Sequence, residues 1–93
     1  LATDCNPGSS MTENMQFVLT TACLGYGFTP AEAITAATIN AAAAVGLADE
    51  VGSLSPGRRA DLLVLDVENP RLLAYHHGVN HVATVVHHGE VVS

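Results

Sequence analysis

Short helices in the first half and a small sheet in the second, an α+β chain, is the fold class this sequence predicts. Two observations carry that prediction. Up to residue 48 the chain is rich in alanine and threonine and is punctuated by helix-capping patterns, whereas from residue 49 valine, leucine and turn residues take over. The second observation is size: 93 residues, 48% hydrophobic and 13% charged, support one modest core. A chain this short buries only about 60–65% of the surface its unfolded form exposes. Its two cysteines, Cys5 and Cys23, offer no disulfide framework to make up the difference. A module boundary falls at Asp49, giving segments 1–48 and 49–93.

Leu1-Ala2-Thr3-Asp4 reads as the end of a strand already in progress, and the missing initiator methionine suggests a piece of a longer protein. Pro7-Gly8-Ser9-Ser10 breaks that strand. Ser10 and Glu13 form a capping-box pattern that predicts a helix from about Met11, with Met11, Met15, Val18 and Ala22 on one apolar face, Leu19 and Cys23 widening it, and Gly25 or Gly27 at its end. Thr29-Pro30-Ala31-Glu32 is a cleaner start signal, with a threonine cap, proline at the first helical position and glutamate at the third, and predicts a helix to about Ala37. Thr38-Ile39-Asn40 offers a cap for a third, short helix through Ala41–Ala44, closed by Gly46 in the left-handed conformation. Ser55-Pro56-Gly57 fits a type II turn. Leu62–Leu65 then reads as a strand covered on both faces and stopped by Asn69-Pro70. After an irregular stretch from Arg71 to Asn80, the β-branched runs His81–His87 and Glu90–Val92 flank a His88-Gly89 turn and predict a closing hairpin.

Charge and hydropathy exclude several functions. Three arginines and no lysine face nine acids, a net charge of −6, so nucleic acid and anionic membrane surfaces are not expected partners. The uncharged stretches 14–31 and 33–48 are broken by threonine, glycine, Pro30 and Asn40, which argues against a membrane span. Two thiols and no basic leader point to the cytoplasm.

Asp4 is the leading candidate for chemistry. It follows apolar strand residues and precedes a glycine-containing loop, where α/β folds place catalytic groups. A carboxylate there can bind a divalent metal and accept a proton from the attacking water. Gly8 permits close backbone approach, Asn6 and Ser9 add hydrogen-bonding groups, and free N–H groups at the start of the Ser10 helix would favour a substrate carboxylate or oxyanion. Spacing alone leaves open an Asp-x-Asn-Pro-Gly turn with no chemistry.

The five histidines, His76, His77, His81, His87 and His88, raise the question of a metal site, but neighbours in a strand point to opposite faces, so solvated or backbone-bonded rings are the plainer reading. No nucleophile-elbow pattern surrounds Ser9 or Ser10. Arg58 and Arg59 read as a solvated pair, and Asp61 and Asp66 as polar ends of a buried strand.

Taken together, Leu1–Ser10, Thr29–Ala33, Ala37–Ala42 with Gly46-Leu47, Gly52–Gly57 with Ala60-Asp61-Leu62, and Tyr75–Asn80 resemble the imidazolonepropionase family of the amidohydrolase superfamily over essentially the whole chain. The resemblance implies that 1–48 forms the last strand and following helices of a (β/α)8 TIM barrel. It implies that 49–93 forms the C-terminal strands of the accompanying β-sandwich. It also implies metal-dependent hydrolysis of 4-imidazolone-5-propanoate to N-formimidoyl-L-glutamate, with one zinc or iron ion per full-length subunit. By this resemblance Asp4 is the metal-binding and proton-accepting carboxylate, and Asn6, Gly8 and Ser9 contact substrate. The family's other metal and pocket residues have no counterpart here, so the piece alone is expected to be inactive and to rely on the remainder of the enzyme chain. Exposed strand edges would favour association, including homo-oligomers. The competing readings are another cyclic-amide or amino hydrolase of the superfamily, a non-enzymatic histidine-rich metal module, and a structural interaction fragment.

Overall fold

The computed structural model describes residues 1–76 and 78–93. The elements run α1 (Met15–Tyr26), α2 (Pro30–Ala37), α3 (Ile39–Ala44), β1 (Leu62–Leu65), α4 (Leu72–Tyr75), β2 (Val82–His87) and β3 (Glu90–Val91). The three strands form one antiparallel sheet in the order β1-β2-β3.

Local signals set most of the boundaries. The Thr29 hydroxyl accepts from the Glu32 N–H at 3.2 Å and the Glu32 carboxylate accepts from the Thr29 N–H at 2.9 Å, the reciprocal capping box that starts α2. These two bonds, the Thr29 N–H first, hold the Glu32 carboxyl below its ordinary range. Gly27 ends α1 at φ +74, a left-handed conformation that costs glycine nothing. The Arg58 N–H bonds the Ser55 carbonyl at 3.1 Å across the Pro56-Gly57 turn. His88 and Gly89, both at positive φ, connect β2 to β3 with His87 paired to Glu90, the two-residue turn whose twist suits a hairpin.

Four expectations give way to the structure. Helix α1 begins at Met15 and not near Met11, because Ser10 is committed elsewhere: its N–H and carbonyl both pair with the backbone of Asn6. Asn14 caps instead, its Oδ1 accepting from the N–H groups of Gln16 and Phe17. Met11 is thereby left 75% exposed, while Leu19 and Ala22 keep the apolar face. Residues 1–4 form no strand among the described residues. Thr38 does not cap α3, since its hydroxyl donates back to the Ile34 carbonyl at 2.7 Å. Finally, Leu63 and Val64 are 54% and 49% exposed, so within this chain β1 is not covered on both faces.

Helix α4 lies in the stretch read as irregular. Asn69 starts it, its Oδ1 accepting from the Arg71 N–H and its carbonyl from the Leu72 N–H, so Asn69-Pro70 opens a helical turn more than it stops a strand. This turn delivers Leu73 to the core, where it meets Leu19 and Ala22 of α1 and Ala33 of α2, with Phe28, Ile34 and Leu65 packed around them. The strand register carries a bulge between Val64 and Leu65, which pair with Thr84 and Val82.

Candidate functional site

Asp4, Asn6, Gly8 and Ser9 share one hydrogen-bonded loop with Asn6 at its centre. The Asn6 backbone closes the loop, its N–H donating to the Ser10 carbonyl at 2.9 Å and its carbonyl accepting from Ser10 at 3.1 Å. The Asn6 side chain organises the interior: Nδ2 donates to the Asp4 carbonyl at 3.0 Å, to Asp4 Oδ1 at 3.1 Å and to Ser9 Oγ at 2.6 Å, while Oδ1 accepts from the Gly8 N–H at 2.8 Å. The Ser9 hydroxyl in turn donates to the Asp4 carbonyl at 2.9 Å. Asp4 has φ +50, in the left-handed region that aspartate and asparagine tolerate better than most residues. A Cβ on Gly8 would stand 3.2 Å from Asn6 Oδ1, so a larger residue would press on the centre of the loop.

The sequence reading thus named residues that the fold does bring together. It misplaced the backbone donors. The Gly8, Ser9 and Ser10 N–H groups point inward to Asn6, and the first free amides of α1 are consumed by Asn14, so no helix N-terminus faces a ligand beside Asp4. All four loop residues are exposed, Asp4 included. Asp4 Oδ2 stands outside the loop's hydrogen bonds and is the atom available to a ligand. One aspartate oxygen matches one position of a zinc or iron shell. Among the described residues no three His, Cys, Asp or Glu side chains converge on a common point.

The histidines serve other ends, except His77, which lies outside the described residues. His81 is 5% exposed, and its ring Nε2 lies 2.6 Å from the His76 carbonyl; a carbonyl only accepts, so the proton sits on Nε2. His87 and His88 stack edge to face at 4.7 Å between centroids. Asp61, read from sequence as a plain strand end, gathers more partners than expected. Its Oδ2 accepts from Arg59 Nε and Nη2 at 2.8 and 2.6 Å, and its Oδ1 accepts from the His88 N–H at 2.9 Å with His87 Nδ1 at 3.5 Å. The Arg59 bonds, then the His88 N–H, hold the Asp61 carboxyl below its ordinary value. Arg58 and Arg59 are therefore not a solvated pair: Arg59 grips Asp61, and Arg58 Nη1 is buried without a partner. No sequence motif marks Asp61 as such a junction, because its partners at the hairpin turn lie 26 and 27 residues further along.

Two clefts lie away from the Asp4 loop. One, about 630 Å³, is lined by Asn14, Gln16 and Phe17 of the α1 start and by Gly78, Val79 and Asn80. The other, about 590 Å³, lies between the end of β1 and α4 and is lined in part by Asp66, Glu68, His76 and His81. Among the described residues these side chains do not make a group of three that could hold a metal ion. No described helix is long and apolar enough to cross a membrane.

Comparison with known proteins places relatives along the whole chain. The model of the amidohydrolase family matches residues 1–92. The imidazolonepropionase of Geobacillus kaustophilus (strain HTA426) is 56% identical over 92 residues, 99% of this chain and 22% of that protein. That of Desulfotalea psychrophila (strain LSv54 / DSM 12343) is 58% identical over the same share of each. That of Rubrobacter xylanophilus is 54% identical over 89 residues, 96% of this chain and 21% of that protein. The chain spans about a fifth of the length of these curated relatives.

Proposed function

The chain belongs to the amidohydrolase family, and from that premise we propose that it is the C-terminal part of an imidazolonepropionase, which opens the ring of 4-imidazolone-5-propanoate by hydrolysis. The observation that carries the proposal is identity of 56–58% to imidazolonepropionases along 99% of the chain. The gathering of Asp4, Asn6 and Ser9 in one loop supports it. Residues 1–48 would complete a (β/α)8 barrel and 49–93 would add strands to a β-sandwich. Those strands would join earlier polypeptide, in keeping with the exposed apolar residues of β1. The intact enzyme would be cytoplasmic and would self-associate through its own surfaces.

In this reading Asp4 supplies one ligand to a zinc or iron ion, which when bound polarises the ring carbonyl and the attacking water. Asp4 accepts the proton that water gives up as its oxygen bonds to the ring carbonyl carbon. It returns that proton to the ring nitrogen as the C–N bond breaks, and the carbonyl carbon becomes a carboxylate of the single product, N-formimidoyl-L-glutamate. Asn6 has two jobs. It holds the Asp4 side chain by Oδ1, leaving Oδ2 for the reaction, and it orders the Ser9 hydroxyl that would face the substrate. Gly8 keeps the loop low enough for substrate to approach.

The test is ring opening by the full-length enzyme, followed by loss of imidazolone absorbance. Asp4→Asn should lower kcat by about 10²–10⁴-fold, the usual contribution of a positioned acid–base group, and should reduce bound metal measured by mass spectrometry. Ser9→Ala should act mainly on KM, whereas Asn6→Ala, which also releases the Asp4 carboxylate, should lower kcat as well. A metal-loaded, folded full-length wild type without ring-opening activity would overturn the proposal. The 93-residue chain alone should be inactive, because one carboxylate cannot hold zinc or iron against water.

A further inference from the structure

We propose that Gln16 is a positioning residue that fixes the first turn of α1 against Asn80 and His81, and through it the loop bearing Asp4, Asn6 and Ser9. The inference rests on the ring-hydrolase reading above. Both polar atoms of the half-buried Gln16 amide are in use. Nε2 donates to Asn80 Oδ1 at 3.0 Å, and Oε1 accepts from the His81 N–H at 3.0 Å, joining residues 64 and 65 positions apart.

The far side of this clamp is rigidly held. Asn80 Oδ1 also accepts from the Val82 N–H at 3.0 Å, so the Asn80 amide cannot turn over without losing two bonds. His81 is buried, its ring is tied to the His76 carbonyl, and its own carbonyl accepts from the Asp66 N–H at 2.7 Å beside the end of β1. On the near side Gln16 follows the Asn14 cap by two residues, and the Asn14 N–H donates to Thr12 Oγ1 at 3.1 Å. Loop, cap and clamp are thus consecutive along the chain.

Geometry says why a polar clamp is needed there. Leu19, Ala22 and Leu73 pack the middle of α1. Its first turn instead borders the cleft of about 630 Å³ that separates Asn14, Gln16 and Phe17 from Gly78, Val79 and Asn80. Across that open space the Gln16 amide spans the two walls. Without it α1 would pivot about its packed middle and carry the loop exit with it. Misplacing reacting groups by about 1 Å can cost on the order of 10²-fold in rate.

The experiment uses the full-length enzyme with imidazolone as substrate. Gln16→Met keeps the side-chain volume and removes both hydrogen bonds. It should raise KM and lower kcat/KM by about 10–100-fold, with metal content unchanged. Asn80→Leu should match it, and the double variant should be no worse than either single one, since both remove the same tie. Asn80→Asp should retain near wild-type kinetics, because a carboxylate oxygen accepts from Gln16 Nε2 and from the Val82 N–H alike. Gln16→Glu, which keeps the acceptor for His81 but sets a carboxylate against Asn80 Oδ1, should reproduce the KM rise and serves if Gln16→Met does not fold. Variants with lowered Tm but wild-type kcat and KM would overturn the proposal, as would losses that multiply in the double variant. An inactive wild type would overturn the ring-hydrolase reading and this proposal with it, whereas an active wild type with kinetically silent variants would overturn this proposal alone.

Discussion

Leu19, Ala22, Ala33 and Leu73 meet among the helices and are at most 9% exposed, whereas Leu63, Val64 and Val91 in the sheet are 49–71% exposed. The two regions have similarly apolar sequences, so composition does not explain the contrast. Helices α1, α2 and α4 bury one stripe each and find one another inside the chain. A three-stranded sheet has two faces and two edges to satisfy, and among the described residues Leu65 is the strand residue packed against the helical core cluster. Stability should therefore be concentrated in the helical region, and substitutions of equal size should count very differently in the two halves.

The sharpest way to break that comparison is Leu73→Ala. Leu73 is the sole large side chain that α4 gives to the core cluster, and truncation should cost about 2–4 kcal/mol in urea unfolding; an effect like that of an exposed leucine would refute the contrast. Gly52→Ala comes next. Its φ is +101, and an added Cβ would stand 2.9 Å from both Ala42 Cβ and Ile39 Cα, so a loss of about 1–3 kcal/mol is expected, read as a drop in Tm. Thr29→Ala removes the cap of α2 and should cost about 1 kcal/mol, with helical circular dichroism reporting the frayed turn.

Leu63→Thr should change the stability of the 93-residue chain by less than about 0.5 kcal/mol. In the full-length enzyme the same substitution should cost several times more if earlier strands cover β1, which makes the pair of measurements a direct probe of the sandwich. The smallest effect concerns pH. The Asp61 carboxyl is held below its ordinary value by Arg59 and the His88 N–H, so its charged form is favoured by folding. Its contribution is full above the unfolded aspartate value near pH 4 and disappears as pH falls through the lower folded value. Asp61→Asn should flatten the acid limb of the stability curve slightly, whereas a change confined to neutral pH would assign the effect to another group.

Signals confined to a few consecutive residues were legible in the sequence. Thr29 with Glu32 set a boundary where the pattern placed it because their hydrogen bonds close within four residues, and Gly27, one of two glycines the pattern offered, and His88-Gly89 did so through positive φ. The membership of the Asp4 loop was legible for the same reason. The start of α1 was not: Ser10 and Glu13 match a capping box, but the Asn6 backbone competes for Ser10, and the helix waits for Asn14. Helix α4 was hidden because four residues carry too little periodicity to register.

Sequence alone determined the cap of α2, the tight turns, the order of helices before hairpin, and that Asp4, Asn6, Gly8 and Ser9 share one loop, since each depends on near neighbours in the chain. Tertiary structure alone decided which strand faces stay in water, that Asp61 pins the hairpin turn, and that Gln16 meets Asn80 and His81 across 64 and 65 residues. A hydrogen bond between distant residues forms only after the intervening chain has surrendered its conformational freedom to packing, and no short window of sequence records how that packing closes.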